Sequence, residues 1–230
     1  KRLYQKILEV EQDHHVALHL FGVLSNQMGE NTNAINLFMQ ALNIKPDFTR
    51  AQNSLSRVFN EIEKFSEAIE NCNKVLEIDS NSVEANFNLG NAFAGLKKFD
   101  SAVTRYQKVL KIDPNHADAY LNLGNALTKL ERLDEAVLSY RQAITLNPEL
   151  VNAYFYLGIV LHTQKKFEDA TISFQQALAI TPDNVEIQLH LGITLCCLEK
   201  PDEAGACFGN ILKSNPGHTE AQNELANIKL

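Results

Sequence analysis

Ala119-Tyr120-Leu121-Asn122-Leu123-Gly124-Asn125-Ala126, continued by Asp134-Glu135-Ala136 and closed by Asn147-Pro148, carries the plan of the whole chain. Ala119, Tyr120, Leu123, Ala126, Leu127 and Leu130 fall at three-and-four spacing, which predicts an amphipathic helix over 117–130. Ala136, Val137, Tyr140, Ala143 and Ile144 repeat that spacing and predict a second helix over 135–146. Glu131-Arg132-Leu133 between them reads as a short polar turn, with Asp134 standing where a helix N-cap belongs. Pro148 cannot continue a helix interior, so it ends the pair.

Steps of 34 residues in either direction land on the same pattern, without insertion or deletion. Leu123-Gly124 becomes Leu89-Gly90, Leu157-Gly158 and Leu191-Gly192, and further out Leu55-Ser56, Phe21-Gly22 and Leu225-Ala226. An alanine column runs through Ala34, Ala68, Ala102, Ala136, Ala170 and Ala204. An aromatic column holds Phe38, Cys72, Tyr106, Tyr140, Phe174 and Phe208, and a helix-ending column holds Pro46, Ser80, Pro114, Pro148, Pro182 and Pro216. The counterparts of Asp134 include Thr32, Ser66, Asp100 and Asp202. Small residues let two helices approach closely, and the aromatic fills the space beyond them.

One helical pair buries only one face, so such pairs stack and share stability with their neighbours. The expected architecture is all-α, an α-solenoid of antiparallel helix pairs forming a single array over 1–230. Full repeats are expected at 15–48, 49–82, 83–116, 117–150, 151–184 and 185–218. A partial repeat (a second helix, with Tyr4 in the aromatic column) is expected at 1–14, and a partial repeat or capping helix at 219–230. The repeat at 49–82 departs most, with Ser56 for Gly, Cys72 for the aromatic and Ser80 for Pro, so the loosest packing is expected there.

On the stretches quoted first, the chain resembles the tetratricopeptide repeat superfamily over essentially its whole length. The resemblance implies a right-handed superhelix whose concave wall is built from the first helix of each pair. It also implies that the wall is lined by the two residues before Leu-Gly, the residue after it, and those four and five beyond the Gly. Carried onto this sequence, that gives Arg50, Asn53, Arg57 and Asn60 at a polar end and Asn88, Asn91, Asn122 and Asn125 in the middle. Phe155, Tyr156, Ile159, Leu189 and Ile193 make an apolar far end, and Phe87, Leu121 and His190 occupy groove places in the same columns. Each carboxamide offers a donor and an acceptor to an extended peptide, and the apolar neighbours supply desolvated anchors. The expected affinity is on the order of micromolar, about −8 kcal/mol. Replacing Asn88, Asn122 and Asn125 by Ala is expected to weaken binding while leaving helicity and melting nearly unchanged. Family members that clamp a C-terminal carboxylate place lysine two before the first Leu-Gly; no Lys occupies that place in any repeat here, and Arg50 is the only basic residue at the companion place.

Two other readings compete with a non-catalytic adaptor that holds a protein or extended peptide. The long array and the closing Leu225-Ala226-Asn227-Ile228-Lys229 are similar to the repeats of O-linked N-acetylglucosamine transferases, which implies the recruiting region of a larger enzyme. Apolar faces left at both ends of the array instead suit a self-associating scaffold.

Composition narrows the remaining classes. The formal charge is −7, with residues 1–115 carrying 13 basic and 14 acidic groups and residues 116–230 carrying 8 and 14. That balance argues against a nucleic-acid partner. No run of about 18 apolar residues suggests a membrane span, and Lys1–Leu8 does not read as a signal peptide, although the chain does not begin with Met. Cys72, Cys196, Cys197 and Cys207 fit no disulfide framework or zinc spacing, which weakly favours a reducing, cytoplasmic setting. His162, His190, Cys196 and Cys197 come from adjacent first helices, but His190 and Cys196 are six apart and diverge, so no metal site is expected. Asp134-Glu135, Glu168-Asp169 and Asp202-Glu203 recur at helix starts, where the helix dipole favours negative charge without any catalysis. With no phosphate loop, nucleophile elbow or HExxH helix, neither a catalytic residue nor a cofactor is expected.

Overall fold

The computed structural model describes residues 2–228, and all of its regular structure is helical. Lys1, Lys229 and Leu230, at the outer ends of the two expected partial repeats, lie outside the described residues. Two compact units divide the chain, Lys1–Pro114 and Asn115–Leu230. The first holds α1 (Arg2–Val10), α2 (His15–Gln27), α3 (Asn31–Ile44), α4 (Thr49–Glu61), α5 (Phe65–Ile78), α6 (Val83–Gly95) and α7 (Phe99–Ile112). The second holds α8 (Ala117–Lys129), α9 (Leu133–Leu146), α10 (Val151–Thr163), α11 (Phe167–Ile180), α12 (Val185–Cys197), α13 (Pro201–Ser214) and α14 (Thr219–Ile228). Within each unit, a helix packs on its successor as a hairpin and each hairpin packs on the next, the all-α solenoid that the 34-residue pattern implies.

The columns of the sequence are the core of these hairpins. The alanines from Ala34 to Ala204 have no exposed surface, and the aromatic column from Phe38 to Phe208 is buried with them. A Cβ built on Gly124 would stand 2.6 Å from Cε1 of Tyr140, and one on Gly158 would stand 2.5 Å from Cε1 of Phe174. Only a residue without a side chain admits the ring at that distance.

The repeat expected to be loosest is closed by a matched exchange. Ser56 and Cys72 are both fully buried: the added hydroxymethyl at 56 meets a smaller side chain at 72. Ser56 Oγ donates to the Gln52 carbonyl at 2.8 Å, so its polar atom is satisfied. Burial pushes the Cys72 thiol up to about 11, with the neighbouring Ser56 hydroxyl working against the shift.

The capping expectation needs correction. α9 begins at Leu133 with Arg132 at the N-cap, and Asp134 and Glu135 lie in its first turn without a side-chain cap. The same offset holds at α3, α5, α7 and α13, whose N-caps are Glu30, Lys64, Lys98 and Lys200. The acidic pairs therefore act on the helix dipole rather than as caps. These helices start early because the turn before them is a Schellman motif. Arg132 N–H donates to the Leu127 carbonyl at 3.0 Å, and Lys98 donates to Phe93 at 2.8 Å. Such a motif needs a left-handed residue before that donor, and Glu63, Lys97, Glu131, Lys165 and Glu199 adopt φ of 56–60°. At the corresponding place in the first hairpin stands Gly29, with φ of 77°.

True side-chain caps sit on the first helices instead. His14, Ser82, His116 and Asn184 each accept the N–H three residues on, at 3.0–3.3 Å. Second helices stop two residues before the proline column, as at Ile44 before Pro46, with the intervening C-cap extended as a pre-proline residue prefers.

Candidate partner-binding face

The first helices of each unit lie beside one another: α2 meets α4 and α4 meets α6 in the first unit, while α8 meets α10 and α10 meets α12 in the second. Their side chains make two differently built faces.

In the first unit the polar residues hold one helix to the next. Asn88 Nδ2 donates to the Asn53 carbonyl at 3.2 Å, and Asn60 Nδ2 donates back to the Asn88 carbonyl at 2.9 Å. Asn53 Nδ2 donates to Glu84 Oε2 at 3.1 Å. His19 Nε2 lies 3.0 Å from Ser54 Oγ, bridging α2 and α4. Burial, and next the Arg50 charge, hold the His19 pKa below its ordinary value, which favours the neutral ring in that contact. Arg50 is exposed at the start of α4, and exposed Arg57 donates to Asn26 Oδ1 at 3.2 Å while facing Glu61 at 3.9 Å.

Asn53 and Asn88 are consequently buried, whereas the row of Asn88, Asn122 and Asn125 was expected to be exposed. A carboxamide between two closely packed helices satisfies main-chain groups that water cannot reach. Asn91 accepts the Tyr106 hydroxyl at 2.8 Å, and half-buried Phe87 packs against the same ring at 6.0 Å between centroids.

In the second unit the face is less polar. Leu121 and Phe155 are buried, and Asn122, Asn125, Tyr156, Ile159, His190 and Ile193 are half-buried. Asn125 accepts the Tyr140 hydroxyl at 2.9 Å, so its oxygen is engaged in the hairpin. Phe155 lies 5.4 Å from both Tyr156 and His190 by ring centroids, and Phe174 stacks on His190 at 5.9 Å. The structure thus gathers Phe155, Tyr156 and His190 into one aromatic group on adjacent helices.

His162 Nδ1 lies 3.0 Å from Thr194 Oγ1, whose hydroxyl donates to the His190 carbonyl at 2.7 Å. Nδ1 therefore carries the proton in that contact. Burial, then the nearby His190, lowers the His162 pKa. Among the described residues no group of three or more His, Cys, Asp and Glu side chains converges to hold a metal, and no helix is long and apolar enough to cross a membrane.

A further column, not used in reading the sequence beyond Arg50, stands exposed in the first turn of the first helices: Glu84 in the first unit, and Asp118, Asn152, Glu186 and Glu220 in the second. A 34-residue step from Arg50 would have found it.

The sequence profile described as TPR repeat matches residues 56–97, 95–131 and 124–165. Profiles described as Tetratricopeptide repeat match 151–184 and 15–48. The chain belongs to the tetratricopeptide repeat family. Among solved structures, this tetratricopeptide repeat chain is similar to pilF of Pseudomonas aeruginosa, at 20% identity and TM-score 0.81 over 93% of this chain and 97% of that one. It is similar to YrrB, described as a TPR protein with an unusual peptide-binding site, at 22% identity and TM-score 0.69 over 84% and 98%. A third likeness is to MamA of Desulfovibrio magneticus RS-1, at 22% identity and TM-score 0.68 over 74% and 97%. At these identities the likeness is one of fold. No curated protein sequence matches the chain.

Proposed function

We propose that this chain is a non-catalytic protein-interaction module, an adaptor or scaffold that holds an extended peptide or partner segment on the face of its first helices. The six full repeats from 15–48 to 185–218 are the units that carry it. One observation bears most of the weight. Tyr156, Ile159, His190 and Ile193 stand half-buried side by side on α10 and α12, and α10 meets only α8, α9, α11 and α12 among the helices. Aromatic and aliphatic side chains kept partly in contact with water in this way suit the anchors of an interface. The family supports this reading, and so does the peptide-binding site named for YrrB. Among the expected groove residues, Tyr156, Ile159 and His190 then act as contacts, with Asn122 beside them. Asn53, Asn88, Asn91 and Asn125 hold the wall in shape.

Photo-crosslinking residues placed at 156 and 159 test the reading, against the same residues placed at 138 and 172. Leu138 and Ile172 are exposed on the second helices α9 and α11, 63% and 53% respectively. The expected outcome is protein adducts from 156 and 159 in extracts of the native source. Adducts confined to 138 and 172 would move the binding surface to the second helices and refute the proposal.

A further inference from the structure

The charge and spacing of the second unit's face narrow the chemistry of its occupant, on the understanding that this face binds a partner as proposed above. On α12, Glu186, His190 and Ile193 follow helical spacing and share one stripe; Tyr156 and Ile159 continue it on α10. Asp118 and Glu186 mark the rim of this stripe on α8 and α12, both exposed and without an ion pair among the described residues. Asn152 between them is neutral. Of the basic residues in these hairpins, Arg141 and Lys213 stand on the second helices α9 and α13, and Lys129, Lys165 and Lys200 lie at or just beyond the opposite ends of the first helices. From Asp118 to Lys129 that is about 16 Å along the helix, beyond the screening length at physiological salt, about 8 Å. A first-turn acid is favoured by the helix dipole, but the same column holds Arg50 on α4, so the dipole does not dictate the sign.

We infer that the occupant is an extended segment that crosses α8, α10 and α12, with apolar side chains on Tyr156, Ile159 and Ile193 and basic side chains at Asp118 and Glu186. Neighbouring helices pack about 8–10 Å apart, so the two acids lie roughly 18 Å apart across α10. An extended chain advances about 3.3 Å per residue, which sets the two basic residues about five or six positions apart. Alternation along the strand then turns apolar residues between them toward the helices.

The test is calorimetric titration of the whole protein with a seven-residue blocked peptide bearing lysine at positions one and seven, leucine at three and five, and serine elsewhere. A matched peptide carrying glutamate in place of lysine is expected to bind about ten-fold more weakly, and the difference should shrink at high salt. The double variant Asp118→Lys, Glu186→Lys should reverse the preference. Glu131→Lys with Glu199→Lys, which changes net charge equally at the far ends of these hairpins, should leave the lysine peptide within about two-fold. Circular dichroism and thermal midpoints establish that each variant is folded. Equal loss in both double variants would mean net charge alone acts, and the inference falls. Equal binding of both peptides, abolished by Tyr156→Ser, would also overturn it while leaving the binding face standing. If neither peptide binds, the inference falls, and if position 156 also gives no adduct the binding face falls with it.

Discussion

Exchanging Gly124 and Tyr140 for the Ser56 and Cys72 pair would transplant one complementary contact of the array into another hairpin. A Cβ on Gly124 would stand 2.6 Å from Tyr140 Cε1, about 1 Å inside a comfortable carbon–carbon contact of roughly 3.5–4.0 Å. Gly124→Ser alone therefore overpacks the hairpin and should cost about 1–3 kcal/mol. Tyr140→Cys alone empties the space of a ring that is 1% exposed, and should cost about 3–5 kcal/mol by analogy with aromatic truncations. It also deprives Asn125 Oδ1 of its phenol donor at 2.9 Å. In the double variant the serine side chain occupies space that the ring has left, as at 56 and 72. Its cost should then fall short of the sum by at least about 1 kcal/mol. Because stacked repeats need not unfold together, urea titration should be followed by circular dichroism and by hydrogen exchange at α8 and α9. Costs that add within about 0.5 kcal/mol would refute steric complementarity as the reason for the glycine.

The remaining predictions concern titration, turns and the carboxamides. Burial holds Tyr140 at about 12 and Cys72 at about 11, against ordinary values of 10 and 9, so the folded chain favours both protonated forms. Their stabilising contribution should be intact below pH 9 and decline as pH rises, through about 11 for Cys72 and about 12 for Tyr140. Urea midpoints against pH should show this fall, and Cys72→Ala should remove its lower part; a flat profile to pH 11 contradicts the burial effect. Gly29→Ala should cost about 1 kcal/mol from the left-handed backbone, since an added Cβ there meets nothing within 4 Å; thermal melts giving no loss would exclude strain as the cause. Asn88→Ala should cost about 1 kcal/mol by deleting the buried bond to the Asn53 carbonyl, against the unchanged melting expected from the sequence, so a melt unchanged by that substitution would show the α4–α6 bonds to be dispensable.

The fold was legible because its determinants repeat. Small residues at Ala136 and Gly124 and the ring of Tyr140 meet within one hairpin, and a step of 34 residues displays the same meeting again. Helix starts were less legible. Asp134 has the chemistry of a cap, yet the Schellman bond from Arg132 to Leu127 begins α9 one residue before it. Nothing in Glu131 itself announces a left-handed backbone, since Gly29 alone among its counterparts is the residue type that signals one. The bonding of the first-helix side chains was less legible still. Asn88 is sealed between α4 and α6 because Asn53 and Asn60 stand opposite it. What a groove residue does depends on the residues 28 and 35 positions away, and a column read vertically does not contain them.

That dependence bears on how one scaffold acquires a partner. Hairpin packing is fixed by alanine, glycine and aromatic columns that face away from the first-helix surface, so substitutions on that surface leave the hairpin core in place. The surface then has two demands to meet, holding adjacent first helices together and leaving some side chains unspent. In the first unit, carboxamides and Glu84 meet the first demand by crossing between helices. In the second, His162 and Thr194 cross at one end, while Tyr156, Ile159 and Ile193 remain half-buried and uncharged. A polar group already bonded to a neighbouring helix gains little from a ligand, because the new bond replaces an old one. An apolar side chain that is half in water still has surface to bury, at about 25 cal/mol per Å². Binding energy should therefore concentrate on α10 and α12. If alanine substitutions at Asn53 and Arg57 weakened partner affinity more than those at Tyr156 and Ile193, with folding intact, this division between a self-bonded wall and an open one would be wrong.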